Sequence, residues 1–139
     1  MVESEIRVRY AETDAEGVVY YSNYFIYMEV ARVNYLRGIG FDINHWQRNG
    51  MGMVIAEALC RYHAPARFDD LLTIRAWIED VRRSSFVFVY QMLRNADGRI
   101  IAEGRTVQVL VDLSTMRPTE LPPDVSAALR AGAAPAPTT

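Results

Sequence analysis

One cysteine and two histidines are all that 139 residues offer to thiol or metal chemistry. Cys60 alone cannot form an intrachain disulfide, and its place in an apolar, strand-like run reads as an inert core thiol rather than a nucleophile. With so few soft or imidazole ligands, neither a metal cluster nor a redox cofactor is expected. His45 and His63 lie in no pattern that supplies a nucleophile or an orienting acid, so both read as structural. Long basic runs are missing and the formal net charge is −2, which argues against nucleic acid as the main partner. No uninterrupted apolar run approaches the roughly 20 residues of a bilayer-spanning helix. The acidic start Met1-Val2-Glu3-Ser4-Glu5 is unlike the basic start of a secretory signal. Without a membrane span or a leader, the chain is expected to be cytoplasmic. It also lacks internal repeats and interdomain linkers.

What it does have is apolar substance. Half of the residues are hydrophobic, enough for one compact domain with a sizeable core and too few residues for two ordinary domains. That domain is expected over residues 1–130, with the Ala/Pro-rich stretch 131–139 as a disordered tail. Residues 5–10 alternate polar and apolar, which predicts a half-buried strand. From about Ser22 to Arg37 a helical stripe runs through Tyr24, Tyr27, Met28, Ala31 and Tyr35, while Phe25, Ile26, Val30, Val33 and Leu36 cover much of the remaining circumference. A helix apolar on so many sides should be surrounded. Gly38 and Gly40 are its natural stop signals.

A short helical piece around Phe41–Arg48 precedes a strand-rich region, roughly 53–63, 71–82, 85–95 and 99–112, in which Asp97-Gly98 is a hairpin turn. Phe86–Leu93 is apolar at both alternating sets of positions, as expected if one face covers the helix and the other meets another sheet or subunit. Pro118, Pro122 and Pro123 end the strands, and Asp124–Arg130 reads as a short terminal helix. The fold class is therefore α+β, with an antiparallel sheet of about five strands wrapped around one long central helix.

The segment Tyr10–Tyr24 places a carboxylate, Asp14, on a short loop with Gly17 just ahead of that helix. The first turn of a helix presents unpaired N–H groups and a positive dipole end, which can polarise a carbonyl while a carboxylate attacks it or activates water. Taken alone, Glu12, Asp14 and Glu16 at alternate positions are more often a solvated acidic face than a catalytic set. The pattern Tyr10-Ala11-Glu12-Thr13-Asp14, Gly17-Val18-Val19-Tyr20-Tyr21, Asn23-Tyr24 and Glu29-Val30-Ala31-Arg32 tips that balance, because it resembles the signature of the 4-hydroxybenzoyl-CoA thioesterase family, which has the hotdog fold. Tyr62–Asp70 adds a resemblance to the bacterial Tol-Pal-associated acyl-CoA thioesterases, and the likeness covers about residues 5–115.

The resemblance implies hydrolysis of an acyl-CoA thioester to a carboxylic acid and free coenzyme A. Asp14 would be nucleophile or general base, and the backbone N–H of Tyr21 would face the thioester carbonyl. Glu12 and Gly17 would support the loop, and Tyr24, Arg82, Arg83 and Ser84 would contact substrate. The two arginines suit phosphate geometry, while Ser84 stands where some family members carry a third basic residue. A thioester is already activated, so one carboxylate with one or two aligned donors is sufficient without a triad. The family also implies a homodimer, or a homotetramer built from dimers, with the site at the interface. Three other readings stay open: a thioesterase for chains on acyl carrier protein, a non-catalytic acyl-CoA-binding module, and a hotdog hydratase.

Overall fold

The computed structural model describes residues 1–133. Strands β1 (Val2–Arg7), β2 (Met51–Tyr62), β3 (Leu71–Glu79), β4 (Ser85–Arg94), β5 (Ile100–Asp112) and the two-residue β6 (Arg117–Pro118) make one antiparallel sheet. Its order is β1-β3-β4-β5-β2, with β6 beside β5. Three helices complete the chain: α1 (Asn23–Gly38), α2 (Ile43–Arg48) and α3 (Pro123–Gly132). This is the hotdog arrangement expected from the sequence.

β1 lies three residues earlier than the alternation predicts, and the reason is Glu12. Its carboxylate accepts the Arg9 N–H at 2.8 Å and closes the 3₁₀ turn Tyr10–Glu12, so the chain turns before the strand can continue. α3 runs on to Gly132, and Ala133 bridges to Ile78, so the start of the expected tail is structured. Residues 134–139 of that tail lie outside the described residues. The Asp97-Gly98 turn forms as expected, with Gly98 at φ +68°, a backbone conformation that costs glycine little.

α1 buries Tyr24, Tyr27, Met28, Ala31, Tyr35 and Leu36 against the concave face of the sheet, where Ile74 and Ile78 of β3 meet Phe88 and Met92 of β4. Gly104 of β5 sits under Met28, in space that a Cβ would have to share with the methionine sulfur and methyl. The expectation of all-round burial needs correction, because Ile26 and Val30 are 53% and 39% exposed. The helix rests against β1 and β3 far more than against β2, so one apolar flank is left largely uncovered by the described residues.

For the convex face the sequence predicts another sheet or a subunit. No second sheet meets it among the described residues. Trp77 and Val87 are nonetheless buried there, close to long polar side chains. Arg75 donates to Glu3 Oε2 at 3.0 Å and to Gln91 Oε1 at 3.3 Å, and Trp77 Nε1 donates to Glu79 Oε1 at 3.3 Å. Alkyl stems of such residues can cover apolar surface while their heads stay wet. Within the described residues, no helix is long and apolar enough to cross a membrane.

Candidate active site

Asp14 opens a tight turn, in which Gly17 N–H donates to Asp14 O at 3.0 Å and Asp14 N–H to Val18 O at 2.9 Å. Gly17 has φ +79°, so its conformation, rather than any shortage of space, calls for glycine. The half-buried Asp14 carboxylate is tied on one side only: Oδ1 accepts Glu16 N–H at 2.9 Å and Val18 N–H at 3.5 Å. Oδ2 has no hydrogen-bond partner among the described residues.

Glu12 belongs to the scaffold. Its Oε1 accepts the Tyr27 hydroxyl at 2.9 Å and the Arg9 N–H, and its Oε2 accepts Arg9 Nε at 3.2 Å. Burial pushes the carboxyl up, yet the Arg9 and Tyr27 hydrogen bonds together outweigh it and hold Glu12 below the usual carboxylate range. Burial, then the facing Glu12 charge, pushes the Tyr27 phenol upward. Glu12 O also receives Tyr20 N–H at 2.9 Å and Asn23 Nδ2 at 2.8 Å, which pins both ends of the acidic loop to the start of α1.

Tyr21 lies at that helix entrance. Its N–H meets no protein acceptor among the described residues, and its carbonyl accepts the Tyr62 hydroxyl at 2.8 Å. The Tyr62 phenol is pushed up to about 12, first by burial and then by the neighbouring Cys60. A cleft of about 330 Å³ opens here, lined by Val18, Tyr21, Tyr24, Tyr62 and His63. Tyr24 is its buried wall, edge-on to Tyr62 with ring centres 5.2 Å apart. Cys60 is half-buried, and burial pushes its thiol up, in keeping with an inert role. His63 touches Glu103 at 3.5 Å, Glu57 reaches toward Arg105 at 3.5 Å, and His45 lies on α2, remote in sequence from the loop.

Asp14, Glu12, Gly17, Tyr21 and Tyr24 therefore gather at one end of the sheet, while Arg82, Arg83 and Ser84 lie at the other. β3 separates them: its Leu71 end faces Arg94 and follows the loop through Ala66, which accepts Val19 N–H at 2.8 Å, and its Glu79 end leads to the arginines. Nine residues of strand span roughly 26–30 Å. Arg82 and Arg83 line a groove with Arg130 and Ser126 of α3, each paired with an acid, Arg82 to Asp80 at 3.1 Å and Arg83 to Glu120 at 3.8 Å. Arg130 had no signal in the sequence, since nothing local to α3 points toward the β3–β4 turn. Ser84 accepts Leu110 N–H through its carbonyl, a structural bond. No group of three or more His, Cys, Asp or Glu that could hold a metal occurs among the described residues.

Comparison with known proteins agrees with this fold. The chain is 36% identical over 122 residues to the acyl-CoA thioester hydrolase YbgC of Escherichia coli O157:H7, covering 88% of this chain and 90% of that one. It is 30% identical to the putative acyl-CoA thioesterase YneP of Bacillus subtilis, covering 82% of each. Its fold superposes on the DHNA-CoA thioesterase of Staphylococcus aureus with a TM-score of 0.89 at 27% identity, over 93% of this chain and 88% of that one. Residues 8–129 match the thioesterase-like superfamily, and the chain belongs to that family.

Proposed function

We propose that Asp14 carries the hydrolysis of acyl-CoA thioesters by this protein, attacking the thioester carbonyl or drawing a proton from the water that does. The observation behind this reading is a half-tied carboxylate on the loop that leads to a helix entrance, where one N–H meets no acceptor among the described residues. Backbone bonds fix Asp14 Oδ1 and leave Oδ2 free, and the Tyr21 N–H is available to a carbonyl oxygen as it gains charge. The products are a carboxylic acid and the coenzyme A thiol.

A homodimer completes the site in this reading. β2 is a twelve-residue edge strand whose outer side is unpaired among the described residues. Two such edges meeting antiparallel would reverse the partner, so its Arg82–Arg83 end would lie along the Asp14 end of the first protomer. The phosphates of coenzyme A would then be held by arginines of one copy while the other supplies the carboxylate. Pairing of dimers into a homotetramer is compatible with this arrangement. The single cysteine suits a reducing, cytoplasmic location.

Thiol release from short, long and aromatic acyl-CoA esters tests the assignment. Asp14→Asn is expected to lower kcat on the order of a thousandfold with an unchanged circular dichroism spectrum. Turnover retained in a folded Asp14→Asn protein removes Asp14 from the chemistry. Turnover on acyl carrier protein thioesters alone transfers the activity to that substrate, and binding without turnover on either leaves an acyl-CoA-binding module.

A further inference from the structure

Beyond Tyr24 the uncovered flank of α1 leaves a second cleft, about 270 Å³, against β2. Phe25, Ile26, Ile55 and Ala58 give it apolar walls, as an acyl group would require. Its floor is polar. Thr106 lies there, with its Oγ1 2.7 Å from the Tyr90 hydroxyl and receiving Gln108 Nε2. Arg32, on the helix wall, donates through Nη1 to the same Tyr90 hydroxyl at 3.1 Å. Tyr90, Thr106 and Gln108 are 0%, 2% and 0% exposed, so water does not satisfy them from outside.

Two parts of this network are unfinished. Gln108 Oε1 is buried without a partner among the described residues. Arg32 is half-buried and meets no carboxylate within 4.0 Å among the described residues, and only one of its N–H groups is used. A cation drawn partly out of water without a counter-ion is costly unless something else accepts its hydrogen bonds. Proton counting points the same way. Tyr90 accepts from Arg32 and Thr106 accepts from Gln108, so of the two hydroxyl protons one joins them and the other is left over. Exchanging the oxygen and nitrogen of the Gln108 amide leaves an orphan N–H instead, and donors still outnumber acceptors.

We propose that this cleft is an acyl pocket selective for chains carrying a distal, neutral oxygen acceptor, a hydroxyl or a keto group, with Arg32 and Thr106 as the specificity-determining residues. The proposal rests on the thioesterase reading of Asp14. Neutrality follows from Glu29, a residue of the same cleft whose negative charge opposes an anionic tail. Distance follows from β2: Ala58, paired with Thr106, lies four residues from Tyr62, which holds the Tyr21 carbonyl, and four residues of strand span about 13 Å. The recognised oxygen therefore belongs near the far end of a medium-length chain, not beside the thioester.

The test compares decanoyl-CoA with ω-hydroxydecanoyl-CoA, as kcat/KM on the native enzyme and as equilibrium affinity on Asp14→Asn. A preference of at least about tenfold for the hydroxylated ester is expected in both, since a buried polar site rejects an analogue that leaves it unpaired. Arg32→Gln and the similarly shaped Thr106→Val should each bring the ratio toward one while decanoyl turnover persists. A native ratio near one overturns the proposal, as does a ratio that survives both substitutions. If Arg32→Gln dissociates the dimer with selectivity intact, the cation serves the contact between copies and the proposal fails. If neither ester is hydrolysed but Asp14→Asn keeps the preference in binding, the pocket stands and the thioesterase reading falls; equal affinities overturn the pocket.

Discussion

The two flanks of α1 have been built to different degrees of completion. On one, Tyr27, Met28, Tyr35 and Leu36 are buried against a sheet of aliphatic and aromatic side chains. On the other, Ile26 and Val30 are exposed, Ile26 shares a cleft with Ile55 of an edge strand, and the loop that carries Asp14 is pinned at that helix's start. A covered flank supplies rigidity, and an open one leaves room for the substrate and the second copy proposed above. A thioesterase that must hold a long ligand needs both on the same helix, because the completed side fixes the groups that the unfinished side presents.

If this contrast is real, the flanks will answer mutation differently. The largest effect is expected from Ile55→Asp, which sets a charge on the open flank: sedimentation should show monomers, and thioesterase activity should fall by about a hundredfold or more with thermal unfolding still cooperative. Dimers that survive this change would move the interface elsewhere. Leu36→Ala on the covered flank is expected to cost about 2–5 kcal/mol in denaturant unfolding, whereas Ile26→Ala should cost well under 1 kcal/mol in the monomeric Ile55→Asp background. Equal losses would erase the distinction between the flanks.

Glu12→Gln probes the joint between the flanks and the acidic loop, and should destabilise the protein by about 1–3 kcal/mol. The sign with pH follows from the shift. Glu12 is held below its unfolded range, so its contribution is present above the unfolded carboxylate pKa of about 4.3 and disappears as acid takes the solution through the lower folded value. The native protein's advantage over Glu12→Gln should therefore shrink as the pH falls below about 4.3 and vanish once the lower folded value is passed, and an advantage that does not change with pH would contradict the lowered pKa. The smallest effect is expected at the far end of the sheet, where Arg82→Ala with Arg83→Ala should raise KM for coenzyme A esters by about tenfold and leave kcat unchanged. A fall in kcat instead would place the arginines at the reacting carbonyl.

Much of this could be read from residue order. Alternation located β3, β4 and β5 closely, the 3.6-residue stripe located α1, and Asp97-Gly98 located a turn, because each signal is local to the element that it describes. Pattern measured how much of α1 wants cover but not who provides it, since a chain cannot encode in its own periodicity whether a neighbour is intramolecular. That is why Ile26 and Val30 looked like core. The separation of Arg82 from Asp14, the arrival of Arg130 beside Arg82 and Arg83, and the network joining Arg32 to Gln108 are products of strand order, which brings together positions far apart in sequence.

The β2 edge carries a register shift between Ile55 and Glu57, where an extra residue interrupts the ladder with β5. A long free edge would template any extended peptide and invite endless lateral growth. An interrupted edge with Glu57 and Arg61 among its side chains accepts few registers, and a symmetric pairing consumes both edges at once. The opposite margin, β1, is only six residues long and carries Glu3, Glu5 and Arg7. If two copies pair as proposed, accretion along the strand direction ends after one event, and the feature that opens the molecule to a companion also protects it from becoming a fibre.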